Sequence, residues 1–127
     1  MATIERFEDL QCLQKARQLA NVIYDLALRP GLAKDFQLRD QIRGAAGSVM
    51  HNIAEGFDSG SNPEFVRFLK MARRSASEVQ SESYLALDRK YITCDEQKTA
   101  YNLASEANKL INGMIAYLHR RKPPVAK

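Results

Sequence analysis

Two sets of polar side chains have the types and spacing to do chemistry. Ser48, Asn52 and Glu55 form one, and Ser75, Glu78 and Glu82 the other. Steps of three, four and seven residues put each set on one stripe of a helix. Paired glutamates can do general acid–base work when burial separates their pKa values. Carboxylates can also hold a metal, and hydroxyls and amides can fix helix register. Catalysis needs a further base, nucleophile or phosphate cradle, and none stands beside these stripes. The two histidines are His51 and His119, and His51 points about 100° around the helix from Asn52. A di-iron carboxylate bundle needs Glu-x-x-His, but Ser48 stands three before His51 and Ala116 three before His119. No Cys/His spacing suits zinc. The residues point to no enzyme, with no catalytic residue, metal, cofactor or small-molecule substrate. They point instead to a structural polar network of Ser48, Asn52, Glu55, Ser75 and Glu78. A buried polar group without a partner costs about 1–3 kcal/mol, so Asn52 and Glu55, set beside Val49 and Ile53, are expected to be buried and hydrogen-bonded.

The elements that must position these groups are all helical. Leu10, Leu13, Ala16, Leu19, Ala20, Ile23, Tyr24 and Ala27 recur at three and four, and Arg29-Pro30-Gly31 stops the pattern. A second segment carries Leu38, Ile42, Ala45, Ala46, Val49 and Ile53, with Gly56 as its end signal. After the loop Asp58-Ser59-Gly60-Ser61, Asn62 reads as an N-cap with Pro63 at the first helical position. The third segment runs through Phe65, Phe68, Leu69, Ala72, Ala76, Val79 and Leu87 to a turn near Arg89-Lys90-Tyr91. Thr93-Cys94-Asp95-Glu96 is a capping box, and the fourth segment continues to Leu118. Short loops make consecutive helices antiparallel neighbours. The predicted fold is all-α, an up-down-up-down antiparallel four-helix bundle over residues 1–118, and its last two helices span roughly 26 residues each, about 40 Å.

A chain of 127 residues that is 45% hydrophobic suits one domain with a real core. No apolar run reaches the roughly 20 residues of a membrane span, and no signal peptide is visible. Cys12 and Cys94 form no CxxC motif and read as free thiols in a reducing cytoplasm. The last nine residues, 119–127, hold four Lys/Arg and no acid, which accounts for the whole net charge of +4. They are read as a basic flexible tail, kept unhelical by Pro123 and Pro124.

Several stretches carry a family resemblance. They are Gln41-Ile42-Arg43-Gly44-Ala45-Ala46-Gly47-Ser48-Val49, Asn52-Ile53-Ala54-Glu55-Gly56, and the run from Glu64 to Ser75 followed by Glu78. In this order they resemble the small bacterial four-helix-bundle proteins called 23S rRNA intervening-sequence proteins, or S23 ribosomal proteins. Phe7-Glu8-Asp9-Leu10, Ala16 to Ala20 and Lys90-Tyr91-Ile92 extend the resemblance over nearly the whole chain. Arg74 replaces the family's usual glycine, and residues 58–61 lack its usual basic loop residue. The resemblance implies a homopentamer and no enzymatic activity. More distantly, it extends to a pentameric accessory protein of diversity-generating retroelements that binds nucleic acid through a basic surface.

Two functions follow as expectations. One is a nucleic-acid-binding or ribonucleoprotein-accessory oligomer, contacting RNA or DNA through Arg67, Lys70, Arg73 and Arg74 with Arg120, Arg121 and Lys122 of the tail. Arg39 and Arg43, one turn apart, extend this set. Copies in a ring multiply each weak phosphate contact. The other is a homo-oligomeric interaction scaffold with no nucleic-acid role, its helices brought close by Ala45-Ala46-Gly47 and Ala54.

Overall fold

The computed structural model describes residues 4–120. After a 3-10 turn at Phe7–Asp9 come α1 (Gln11–Leu26), α2 (Pro30–Lys34), α3 (Phe36–Phe57), α4 (Asn62–Asp88) and α5 (Cys94–Arg120). The four long helices form the antiparallel bundle. α3 and α5 each lie against both α1 and α4, so α1 and α4 occupy diagonal corners. α4 and α5 have 27 residues each. The last helix continues through His119 and Arg120, two residues past the expected start of the tail; residues 121–127 lie outside the described residues.

The core follows the apolar stripes. Leu19, Ile23, Val49, Ile53, Leu69, Val79 and Ile111 are fully buried. So are Ala46, Ala72, Ala76, Ala100, Ala104 and Ala107, whose small side chains let the helices approach. One polar pair sits among them: Gln97 Nε2 donates to Ser83 Oγ at 3.0 Å, and Ser83 Oγ donates to the Gln80 carbonyl at 2.7 Å.

Three local expectations are corrected. The stop at Arg29-Pro30 is followed by the short α2, whose Leu32 is fully buried. Proline fits there because the first turn of a helix needs no N–H donor from it. The cap of α4 is Ser61, not Asn62: Ser61 Oγ accepts from the Glu64 N–H at 3.3 Å, and Asn62 and Pro63 are already helical. Gly56 does not end α3. It lies inside the last turn, where a Cβ would come within 2.8 Å of Phe68 Cβ and 2.9 Å of Phe65 Cδ1. The glycine is required by the close approach of α4. The capping box of α5 forms as expected, with Glu96 N–H to Thr93 Oγ1 at 3.1 Å and Thr93 N–H to Glu96 Oε1 at 2.9 Å.

The end of the bundle holding the α4–α5 turn is tied by Asp35. Its Oδ1 caps α3 by accepting from the Leu38 N–H at 3.2 Å, and its Oδ2 accepts from the Tyr91 hydroxyl at 3.0 Å. Gly31 makes room for the Tyr91 ring, which a Cβ would strike. Arg29 pairs with Glu96 at the same end.

Candidate nucleic-acid interface and polar seam

The two polar stripes do meet between α3 and α4. Ser75 Oγ donates to Ser48 Oγ at 3.1 Å. Asn52 Nδ2 donates to the Ser48 carbonyl at 2.9 Å and to Ser48 Oγ at 3.0 Å. Ser75 is buried and Asn52 half-buried. Glu55 and Glu78 are exposed and take no part in this seam. The burial expected of Glu55 is therefore corrected. Helical geometry gives the reason. Glu78 stands three residues after Ser75, which carries it about 60° back around the helix toward water. Glu55 stands seven residues after Ser48, about 20° farther from the core stripe, and its charge stays hydrated.

Burial perturbs the carboxylate of Glu82. Its Oε1 is buried without a hydrogen-bond partner. Desolvation, followed by the charge of Glu78, pushes its pKa up to about 7. No cluster of three His, Cys, Asp or Glu suited to a metal occurs among the described residues. At the far end of the bundle an open cleft of about 760 Å³ is lined by Leu10, Cys12, Phe57, Phe65, Met114 and Tyr117. Burial pushes the Cys12 thiol up to about 11, so it is protonated near neutral pH and is no poised nucleophile. Cys94 is exposed, and both thiols are free.

The basic residues of α4 divide by their partners. Arg67 is held by Glu64, with Nε donating to Oε2 at 2.8 Å and Nη2 to Oε1 at 3.0 Å. The hydrogen bond from Arg67 holds the Glu64 carboxyl below its usual range. The Arg67 guanidinium also lies 4.6 Å from the Phe68 ring centroid. Arg73 Nη1 donates to Asn112 Oδ1 of α5 at 2.7 Å. Lys70 and Arg74 are exposed, and among the described residues neither is held by an ion pair or hydrogen bond. Arg120 is exposed at the end of α5; Arg121 and Lys122 lie outside the described residues.

Arg39 and Arg43 do not extend this cluster. Both bond Asp40, at 3.0 and 2.9 Å, and hydrogen bonding from Arg39 above all lowers the Asp40 pKa. Arg39 lies 4.8 Å from the Phe36 ring centroid and Arg43 5.7 Å from that of Tyr24, on the α1 side of α3. The Ser48 seam that faces α4 lies about 140° around the helix from Arg43.

The sequence reading missed a set of exposed apolar side chains. Leu28 is 78% exposed, Phe36 64%, Tyr24 50%, Tyr84 50% and Leu85 44%. Tyr24 was expected in the core stripe, but it lies on that stripe's α3-facing flank. The signal available in the sequence was the apolar residue in excess of the stripe, at Leu28 after the helix end and at Leu85.

No helix among the described residues is long and apolar enough to cross a membrane. No curated protein matches the chain. Among solved structures, a protein of unknown function from the S23 ribosomal protein family of Bacteroides thetaiotaomicron is 26% identical. The match covers 82% of this chain and 97% of that one, with a TM-score of 0.74. The family model described as 23S rRNA-intervening sequence protein matches residues 8–113. With its motifs, bundle and matched length in agreement, the chain belongs to the 23S rRNA-intervening sequence protein family.

Proposed function

We propose that this chain is a non-enzymatic, self-associating bundle that binds RNA or DNA weakly and with little sequence preference. The observation that carries this reading is the pair Lys70 and Arg74, exposed on one face of α4 with no acid among the described residues holding either. Arg67 and Arg73 flank the pair and keep part of their charge engaged elsewhere. Arg120, Arg121 and Lys122 add further cations. Each neutralised phosphate releases counterions, so binding is favoured at low salt and fades as salt rises. The described chain offers no base-reading motif, so affinity comes from repetition across copies. Five copies is the number the family resemblance implies.

Retention of RNA and DNA at about 50 mM salt tests the reading, because phosphate contacts are least screened there. Changing Lys70 and Arg74 together to glutamate is expected to weaken retention strongly while changing stability by less than about 0.5 kcal/mol, as for other exposed positions. No retention by the unaltered protein at that salt would rule the nucleic-acid role out. The scaffold reading would then stand on the exposed Tyr24, Leu28, Phe36, Tyr84 and Leu85.

A further inference from the structure

Two exposed rings of α1 and α3 stand in one line with two arginines. Phe36, Arg39 and Arg43 follow steps of three and four, so they share the face of α3 that flanks α1. The Arg39 guanidinium lies 4.8 Å from the Phe36 ring centroid, and that of Arg43 5.7 Å from the Tyr24 ring of α1. Asp40 Oδ1 joins the arginines, accepting from Arg39 Nε at 3.0 Å and from Arg43 Nη2 at 2.9 Å. Arg39 is fixed further by donating from Nη1 to the Ala33 carbonyl at 3.2 Å. The order across the surface is ring, guanidinium, carboxylate, guanidinium, ring. Each ring has a guanidinium against it and is still exposed.

The charge along this line suits an anion. Arg17 lies two turns before Tyr24 on the same stripe of α1, so three cations stand here against Asp40, while Asp25 turns about 100° away from Tyr24. Among the described residues Arg43 commits only Nη2 to a hydrogen bond, which leaves donors for a phosphate oxygen. A partner with flat faces and a negative charge at each unit is an unpaired nucleotide chain. Every base has a π-face, and aromatic rings and guanidinium planes stack on it with little regard to sequence. In a duplex those faces are taken by neighbouring bases. Lys70 and Arg74 project from α4, the corner diagonal to α1, so the line is a separate surface from theirs.

We infer that Tyr24, Phe36, Arg39 and Arg43 form a stacking platform for single-stranded nucleic acid, with the rings taking bases and the arginines taking phosphates. This inference rests on the nucleic-acid part of the proposed function and adds the form of nucleic acid favoured and a second surface that holds it. Lys70 and Arg74 meet phosphates, which both forms offer, so a preference for the single strand belongs to the platform.

The test compares one RNA strand with its own duplex, by fluorescence anisotropy at about 50 mM salt. The parent is expected to bind the single strand about tenfold more tightly than the duplex. Phe36→Leu keeps an apolar side chain and removes the ring. It is expected to weaken single-strand binding about tenfold and to leave duplex binding unchanged. Tyr24→Leu is expected to act in the same way, and it replaces Phe36→Leu should circular dichroism show that variant unfolded. Changing Lys70 and Arg74 to glutamate is expected to weaken both forms. A parent that binds the duplex at least as tightly overturns the inference and leaves the nucleic-acid reading standing. Leucine variants that keep the parent's preference also overturn it. So do variants that lose the parent's sedimentation, because the rings then serve a contact between copies. Binding of neither form by the parent overturns the nucleic-acid reading beneath it.

Discussion

The two halves of α4 share one core stripe and differ in everything else. The first half carries Arg67, Lys70, Arg73 and Arg74 outward and meets the end of α3 at Gly56, where backbone and rings are in close contact. The second half carries Glu78, Tyr84 and Leu85 outward, holds Glu82 half-buried, and is tied to α5 by the Ser83–Gln97 hydrogen bond. Buried positions recur without a break from Phe65 to Ala86. The apolar period is thus indifferent to what the outer face does. One helix presents a cationic surface and, a few turns later, an acidic and apolar one, on the same unbroken core stripe. The anchoring differs as well: close approach at Gly56 is confined to the first half, and the fully buried polar pair Ser83–Gln97 to the second.

That contrast can be broken most sharply at Gly56. Gly56→Val puts atoms where Phe65 and Phe68 already stand, and is expected to cost about 3 kcal/mol, read as a lowered urea midpoint. A change below ~0.5 kcal/mol would show that close approach does not anchor the first half. Ser83→Ala acts on the second half by leaving the buried Gln97 amide without its acceptor. The expected loss is about 2 kcal/mol, and Ser83→Thr, which keeps the hydroxyl, should recover part of it. The smallest effect belongs to Glu82 and depends on pH. Its folded pKa of about 7 lies above the ordinary glutamate value of 4.5. The folded state therefore favours the protonated carboxyl. That contribution is complete below about pH 4.5 and is lost as pH rises through about 7. Glu82→Gln, which mimics the protonated form, should match the parent near pH 4.5 and exceed its melting temperature at pH 8. Because the side chain is half-exposed, solvent screening limits the gain to about 1 kcal/mol. Equal melting temperatures at both pH values would remove the burial argument for Glu82.

Much of this fold was legible in the residues. The apolar spacing located the four long helices, the Thr93/Glu96 box was read with its correct partners, and Ser48 and Ser75 meet as their stripes required. What could not be read depends on a second element. A stripe fixes a side chain's direction on its own helix, but its burial depends on where the neighbour lies: Glu55 sits on a flank open to water, and Tyr24 is only half covered, by Arg43 of α3. Gly56 looked like a terminator because its reason, the rings of Phe65 and Phe68, arrives from across a turn. For the candidate site, the cationic cluster on α4 was visible, but its division into engaged and unengaged members was not. Glu64 stands only three residues from Arg67, but the partner of Arg73 is Asn112, 39 positions away.

Asp35 bears on how this end of the molecule opens. One carboxylate caps the first turn of α3 and receives the Tyr91 hydroxyl from 56 residues along the chain. Losing the cap therefore also frees the Tyr91 ring from its place over Gly31. The first turn of α3 and the turn between α4 and α5 are therefore expected to open together more often than two unlinked ends would. Amide exchange checks this: Asp35→Ala is expected to lower protection in the first turn of α3 and also at the α4–α5 turn, 56 residues along the chain.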